Sequence, residues 1–225
     1  MISFKTEELF DLSHTLAKDL ILKYDNQYHV LPHIKDFIIN LCRNLSFEEY
    51  DEVTEGVFIA KDAIISDKAV ILPPTIIGHR TEVRPGAYIR GSVLIGDDAV
   101  IGNSTEIKNA IIFDGVQLPH YNYVGDSILG YMAHLGAGAV ISNFKLDHSN
   151  INIRSADEKI ETGLRKFGAI IGDYCEIGCN SVIFPGSILA KKTLVYPLTP
   201  FRGITTCASI VRTDNTVLVR HDNND

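Results

Sequence analysis

An aliphatic side chain returns at every sixth residue along most of this chain. From Ile59 the series runs through Ile65, Ile71, Ile77, Val83, Ile89, Ile95, Ile101 and Ile107. Two residues before each stands a small or β-branched side chain: Val57, Ala63, Ala69, Thr75, Thr81, Ala87, Val93, Ala99 and Thr105. The phase slips by one residue to Ile112, runs on through Leu118 and Val124, and slips again to Leu129, Leu135 and Ile141. After an interruption it resumes at Ile171, Ile177, Ile183, Leu189 and Val195, with Ala169, Cys175, Ser181, Ser187 and Thr193 in the small position. A period of six fits neither an amphipathic helix nor an alternating free-standing strand. It fits a triangular coil in which each hexad makes one short strand and one corner, with successive coils stacked at the inter-strand spacing of roughly 4.8 Å. Gly78, Gly96, Gly102, Gly172 and Gly178 follow the inward residue, where the backbone turns tightly. The pattern predicts an all-β fold with a helical N-terminal segment, its body a left-handed parallel β-helix of hexapeptide repeats. The left hand is an inference from the hexapeptide pattern, since the usual crossover is right-handed.

The remainder is organised around the coil. Residues 1–52 form the expected helical segment. Leu9, Phe10, Leu12, Leu16, Leu20 and Ile21 mark one helix, and Ile34, Phe37, Ile38, Leu41 and Leu45 a second, with Pro32 between them. Ser46-Phe47-Glu48-Glu49 reads as a capping box opening a last short helix. Whether this segment covers the end of the coil or recruits a partner is open. The β-helix is expected over 53–203, with a polar insertion at 144–168 that is long for a plain connection and so a functional candidate. Residues 204–225 suggest a hairpin, Thr205–Val211 against Thr216–Arg220, and then an acidic run.

Charge and composition narrow the function. The formal net charge of -7 argues against non-specific binding to nucleic acid or acidic membrane surfaces. No apolar run is long enough to span a bilayer, and Met1–Glu8 lacks the regions of a signal peptide. Cys42, Cys175, Cys179 and Cys207 are too scattered for a disulfide framework. A cytoplasmic protein with reduced thiols is expected.

Used as a ruler, the repeat brings chemistry together. Arg90 and Lys108 are eighteen residues apart, one full coil, and each follows an inward Ile. Two cations so stacked repel unless an anion bridges them. Counting across the slips sets Val124 and Ile141 on the same face, with Tyr123 and Asn143 beside them. His120 lies on the adjoining edge, and a neutral imidazole is a good base near pH 7. Arg84, in Val83-Arg84-Pro85-Gly86-Ala87, is on that edge about one coil earlier.

Several runs carry a family resemblance: Gly102-Asn103-Ser104-Thr105-Glu106-Ile107-Lys108-Asn109-Ala110, Pro119-His120-Tyr121-Asn122-Tyr123-Val124-Gly125-Asp126, Leu135-Gly136-Ala137-Gly138, Ser142-Asn143-Phe144 and Gly163-Leu164-Arg165-Lys166-Phe167-Gly168-Ala169. Residues 76–202 resemble the C-terminal β-helix of sugar-1-phosphate nucleotidylyltransferases. The likeness is greatest to the bifunctional glucosamine-1-phosphate acetyltransferase/N-acetylglucosamine-1-phosphate uridylyltransferases and to archaeal-type enzymes of that organisation.

The resemblance implies acetyl transfer from acetyl-CoA, as co-substrate, to the amine of an amino-sugar 1-phosphate on the path to UDP-N-acetylglucosamine, in a homotrimer with sites between neighbouring coils. It makes His120 the general base and sets Asn143 to orient the thioester or the amine. Lys108 with Arg90, or with Arg84 in the family's Arg-Pro-Gly context, holds the phosphate. Glu106 and Tyr123 contact the sugar or its phosphate, and His134 stands where the bacterial enzymes carry an Asn sugar contact. Ala137-Gly138 backbone lies near the acetyl group, where an N–H stabilises the oxyanion. Phe144 replaces a Tyr, Lys166 and Lys145 are the nearest substitutes for loop lysines absent at Ser149 and Asn152, and Cys179 falls near the CoA arm. The glycine-rich phosphate loop of the family's other half has no counterpart, the first glycine being Gly56; uridylyl transfer is not expected.

Two other functions compete. A non-catalytic β-helix would bind a sugar phosphate or sugar nucleotide, or scaffold a partner enzyme. A zinc carbonic anhydrase of this fold needs three converging histidines; His79, His120, His134 and His148 fall at different hexad phases, and no metal is expected.

Overall fold

Inward β-branched side chains from successive hexads meet along the axis of the coil, and their register is regular. In the computed structural model, which describes residues 5–155 and 159–220, Ile59 pairs with Ile77, Ile77 with Ile95, Ile95 with Ile112, Ile112 with Leu129, Leu129 with Ile171 and Ile171 with Leu189. These strands make the first face of a left-handed parallel β-helix. The second face stacks Val70–Ile71, Tyr88–Ile89, residues 106–107 and 123–124, Val140–Ile141, Val182–Ile183 and Pro200–Phe201. The third stacks Ile64–Ile65, Glu82–Val83, Val100–Asn103, Gln117–His120, His134–Leu135, Glu176–Ile177, Leu194–Val195 and Ser209–Val211. The small position does more than fit the corner. Thr81 donates its hydroxyl to the Gly96 carbonyl at 2.7 Å and accepts the Ala99 N–H at 3.0 Å, so a buried turn keeps its backbone partnered.

Both slips occur at one corner, where the second face turns into the first. The chain passes from Ile107 to Ile112 and from Val124 to Leu129 one residue short of a hexad. The turn is made by Asn109 at φ 47° and Asp126 at φ 48°. Asn and Asp tolerate this left-handed region better than other side chains. The insertion leaves at the same corner, carries the antiparallel pair Asn152–Arg154 and Lys159–Glu161, and returns at Ala169 in register.

The N-terminal segment departs from expectation. The first predicted helix breaks into Thr6–Leu9, a 3-10 turn Leu12–His14 and Lys18–Ile21. Asp11 accepts the Ser13 N–H and Thr15 the Ala17 N–H, local bonds that compete with helix. Pro32 lies inside a 3-10 run, Gln27–His33, that leads directly into the helix Ile34–Cys42. Ser46 opens only a turn, because the chain at once extends as Tyr50–Thr54 to pair antiparallel with Val57–Ala60.

This segment lies along the first face, not over the end of the coil. Between the inward residues of that face, Ile76, Leu94, Ile111, Ile128 and Ile170 point outward, yet all are buried. Helix Ile34–Cys42 packs on strands Thr75–Ile77, Val93–Ile95 and Glu106–Ile112. Phe10 meets Phe113 with ring centroids 5.0 Å apart, and Tyr28 stacks on Phe167 of the insertion. The tail hairpin joins Ser209–Val211 to Val217–Val219, with shorter arms than expected; the acidic run after it lies outside the described residues.

Candidate active site

The second face and its two corners hold most of the candidate residues. Each strand here shows two outward columns flanking the inward one: Tyr88, Glu106, Tyr123 and Val140 on one side, Arg90, Lys108, Gly125 and Ser142 on the other. Arg90 and Lys108 are stacked, as counting by eighteen implies, but the expectation that they need a bridging anion is corrected. Glu106 binds Arg90 at 2.6 Å, and Asp126 lies 3.7 Å from the Lys108 ammonium. Each cation already has its acid.

Asp126 is absent from the sequence-derived candidates and sits at the centre of the corner. It is buried, its Oδ1 accepts from Asn109 Nδ2 at 2.9 Å, and its Oδ2 accepts from Asn143 Nδ2. Asn109 also donates to the Leu31 carbonyl at 3.2 Å, tying the N-terminal segment into the network. A signal existed: Asn109, Asp126 and Asn143 follow at the shortened coil interval, so counting across the slips stacks them as surely as Arg90 on Lys108. The Asn143 amide nitrogen and the Tyr123 hydroxyl converge over Gly125. Burial raises the Tyr123 pKa, helped by Glu106 and Asp126, while Arg90 and the Asn143 hydrogen bond oppose the rise. Gly125 permits the crossing, since a Cβ there would lie 2.5 Å from Asn143 Nδ2 and 2.7 Å from the Tyr123 hydroxyl.

At the other corner, between the third and second faces, His120 stacks over Asn103, and the register carries the column on to Ala137 and Cys179. The His120 ring is exposed and makes no hydrogen bond or ion pair among the described residues. Its backbone is held: the N–H donates to Asn122 Oδ1, and buried Asn122 donates to the Gly136 and Ala139 carbonyls. The Gly138 N–H donates to the His120 carbonyl at 3.0 Å and is therefore not open to an oxyanion, which corrects half of the expectation for Ala137-Gly138. The Ala137 N–H has no acceptor among the described residues.

Other candidates lie apart. Arg84 and His134 are on the third face, each with an acid: Arg84 with Glu82 at 2.9 Å, His134 with Glu176 at 2.7 Å. Arg84 is two coils before His120, which corrects the expectation of about one; the thirty-six residues between them are two full coils. Phe144 is half-buried beside His148 and lines a cavity of about 480 Å³ with Ser142, Phe184 and Arg202. Lys145 is engaged within its own loop by Ser149 and Asn150, Lys166 is exposed, and Cys179 is an exposed free thiol. No group of three or more His, Cys, Asp or Glu side chains among the described residues could hold a metal ion, and no described helix is long and apolar enough to cross a membrane.

Residues 71–195, more than half of the 225, match the family described as the GMPPB C-terminal domain. The chain belongs to that family. Beyond this profile, the chain is 30% identical over 203 residues to a bifunctional sugar-1-phosphate nucleotidylyltransferase/acetyltransferase of Sulfurisphaera tokodaii, covering 84% of this chain and 51% of that protein. It is 34% identical over 170 residues to the bifunctional protein GlmU of Methanococcus maripaludis, covering 75% and 41%. The chain thus spans about half the length, or less, of these curated relatives. Among solved structures, a hexapeptide transferase family protein from Anaplasma phagocytophilum aligns with 75% of this chain and 82% of its own, at 18% identity and a TM-score of 0.41.

Proposed function

We propose that this chain is an acyltransferase of the hexapeptide type, moving acetyl from acetyl-CoA to the amine of an amino-sugar 1-phosphate such as glucosamine 1-phosphate, with sites shared between copies in a homotrimer. The observation that carries the reading is the pair of corners flanking one face. An unpartnered imidazole, His120, stands on one side of the Arg90–Glu106 and Lys108–Asp126 pairs, and Asn143, held by Asp126, stands on the other. The relatives' names, which join a sugar-1-phosphate to an acetyltransferase, point the same way. In this reading the sugar ammonium first sheds one proton to solvent, and the free amine attacks the thioester carbon while His120 takes a second proton from its nitrogen. The Ala137 N–H donates to the developing oxyanion. Collapse expels the CoA thiolate, which takes that proton from His120, leaving the neutral amide, CoA and the one proton already released to solvent. Arg90 and Lys108 hold the phosphate, with Glu106 turning from Arg90 to a sugar hydroxyl.

The test is CoA release from acetyl-CoA in the presence of glucosamine or galactosamine 1-phosphate. Turnover is expected, and His120→Ala should lower it by roughly 10²- to 10⁴-fold, the usual contribution of a general base. Normal turnover by that variant, or none with any amino-sugar phosphate, overturns the mechanism. One observation favours a second reading, a β-helix that binds a sugar phosphate without reacting. With Glu106 and Asp126 already on the two cations, little positive charge is left for a phosphate. Ligand binding without acetyl transfer across a panel of amines would select it.

A further inference from the structure

We propose that Asp126 is a positioning residue that fixes the orientation of the Asn143 amide, so that its carbonyl oxygen and not its N–H is the end offered to a ligand. Asp126 is buried at the short corner, and neither carboxylate oxygen is idle. Oδ1 takes the Asn109 N–H, Oδ2 takes the Asn143 N–H, and the Lys108 ammonium stands 3.7 Å from Oδ2. An ionised carboxylate only accepts hydrogen bonds, whereas an amide has a donating and an accepting end. The partner therefore decides the amide's orientation: Asn143 must turn its nitrogen to Asp126. Tyr123 is consistent with this. The Asn143 Nδ2 and the Tyr123 hydroxyl both lie over Gly125, which puts the nitrogen end of the amide on the inner side of the corner. With its nitrogen turned to Asp126, the end of the amide that faces away from the carboxylate is the carbonyl oxygen, an acceptor. An acceptor suits the N–H of an attacking amine and cannot stabilise an oxyanion. Asn143 therefore recognises the amine, and of the two roles open to it in the sequence, orienting the thioester is removed.

The network reaches further than the site. Asn109 is held by the Leu31 carbonyl as well as by Asp126, so Asp126 is braced from the N-terminal segment and cannot rotate to follow Asn143. Replacing Asp126 by its amide isostere would reverse the polarity. In Asp126→Asn the new carbonyl must serve Asn109, and the new NH2 faces Asn143, which turns over and presents its own N–H outward. The exchange Asp126→Asn with Asn143→Asp restores an outward acceptor, because the carboxylate now at 143 accepts from the amide at 126.

Two readouts test this. The first is hydrogen exchange of the Asn143 carboxamide followed by ¹⁵N NMR, which does not depend on activity. Exchange should be slow in the wild type and at least about tenfold faster in Asp126→Asn, as loss of a buried acceptor implies. The second is steady-state kinetics with acetyl-CoA and glucosamine 1-phosphate, which rests on the acetyl-transfer reading. Asp126→Asn should lose roughly ten- to hundredfold in kcat/KM for the amine, leaving KM for acetyl-CoA within about twofold. The double exchange should recover most of that loss. Unchanged carboxamide exchange overturns the proposal, as does a double variant no more active than Asp126→Asn. If Asp126→Asn does not fold, the double variant, which keeps a matched donor and acceptor, decides alone: folded and active supports the proposal, folded and inactive overturns it. A wild type that acetylates nothing but protects the Asn143 carboxamide removes the acetyl-transfer reading and keeps the orientation.

Discussion

At the corner joining the first face to the third, carboxylates accept backbone N–H groups from the coil before: Asp97 from His79, Asp114 from Asp97 and Asp173 from Tyr131. Asp114 illustrates what this costs. Burial raises its pKa; the charge of Asp97 adds to the rise, and the Asp97 N–H and His14 oppose it. An acid whose native pKa is raised binds its proton more tightly folded than unfolded. Its contribution is fully present below the unfolded value near 3.8 and is lost as pH rises through the native value above it. Asp114→Asn keeps an oxygen for the Asp97 N–H and cannot ionise. Its stability relative to wild type should therefore climb with pH across that window, by at most about 1.4 kcal/mol per pH unit for one proton, and level off above it. Denaturant melts at closely spaced pH values read the difference; a flat difference would mean that Asp114 does not titrate there. At this scale the sequence was readable wherever counting sufficed. Arg90 over Lys108 follows from the repeat, but the acids that neutralise them do not. Glu106 reaches Arg90 diagonally between columns, and Asp126 reaches Lys108 from a left-handed corner, directions that a linear count does not contain.

Among the elements, the N-terminal segment was the least legible. Helical periodicity located its apolar residues, but local Asp11 and Thr15 bonds decided where helix stops. What it packs against is written in the coil, at a period of eighteen rather than six. Phe58, Ile76, Leu94, Ile111, Ile128, Ile170 and Ile188 each precede an inward residue on the first face, whereas the same position on the other two faces is more polar, as at Glu82, Glu106 and Glu176. An apolar stripe along the outside of one face requires a cover. The consequence is separable from coil stability. Leu94→Ala and Ile95→Ala remove buried aliphatic surface from adjacent residues, each at a cost of about 2–5 kcal/mol. Leu94 faces the helix and Ile95 the interior, so their failures should differ. Limited proteolysis should release the N-terminal segment early from Leu94→Ala, with the coil resistant, and should degrade Ile95→Ala without that order. Equal cleavage patterns would show that segment and coil unfold as one unit.

For the whole molecule, the covered first face restricts how copies can assemble. A homotrimer about an axis parallel to the coil leaves the second and third faces for contact, and a cyclic ring of three uses two different surfaces of each copy. Exposed apolar side chains lie on those faces in the early coils: Val70, Leu72 and Tyr88 on the second and Ile64 on the third. They are also near the site, since Tyr88 shares a column with Glu106 and its ring lies 5.9 Å from the Arg90 guanidinium. Light scattering should therefore give a mass three times the 24.9 kDa of one chain. Val70→Glu combined with Ile64→Glu should shift the protein to monomer while leaving the far-UV circular dichroism of the folded chain unchanged, because both side chains are exposed within the chain. If the site is shared between copies, acetyl transfer falls with the trimer and returns at protein concentrations that restore it. A monomer of undiminished activity would confine the whole site to one chain. The Ala137 N–H, His120 and the Asn143 carbonyl would then have to be served by a substrate reaching across the second face of a single coil.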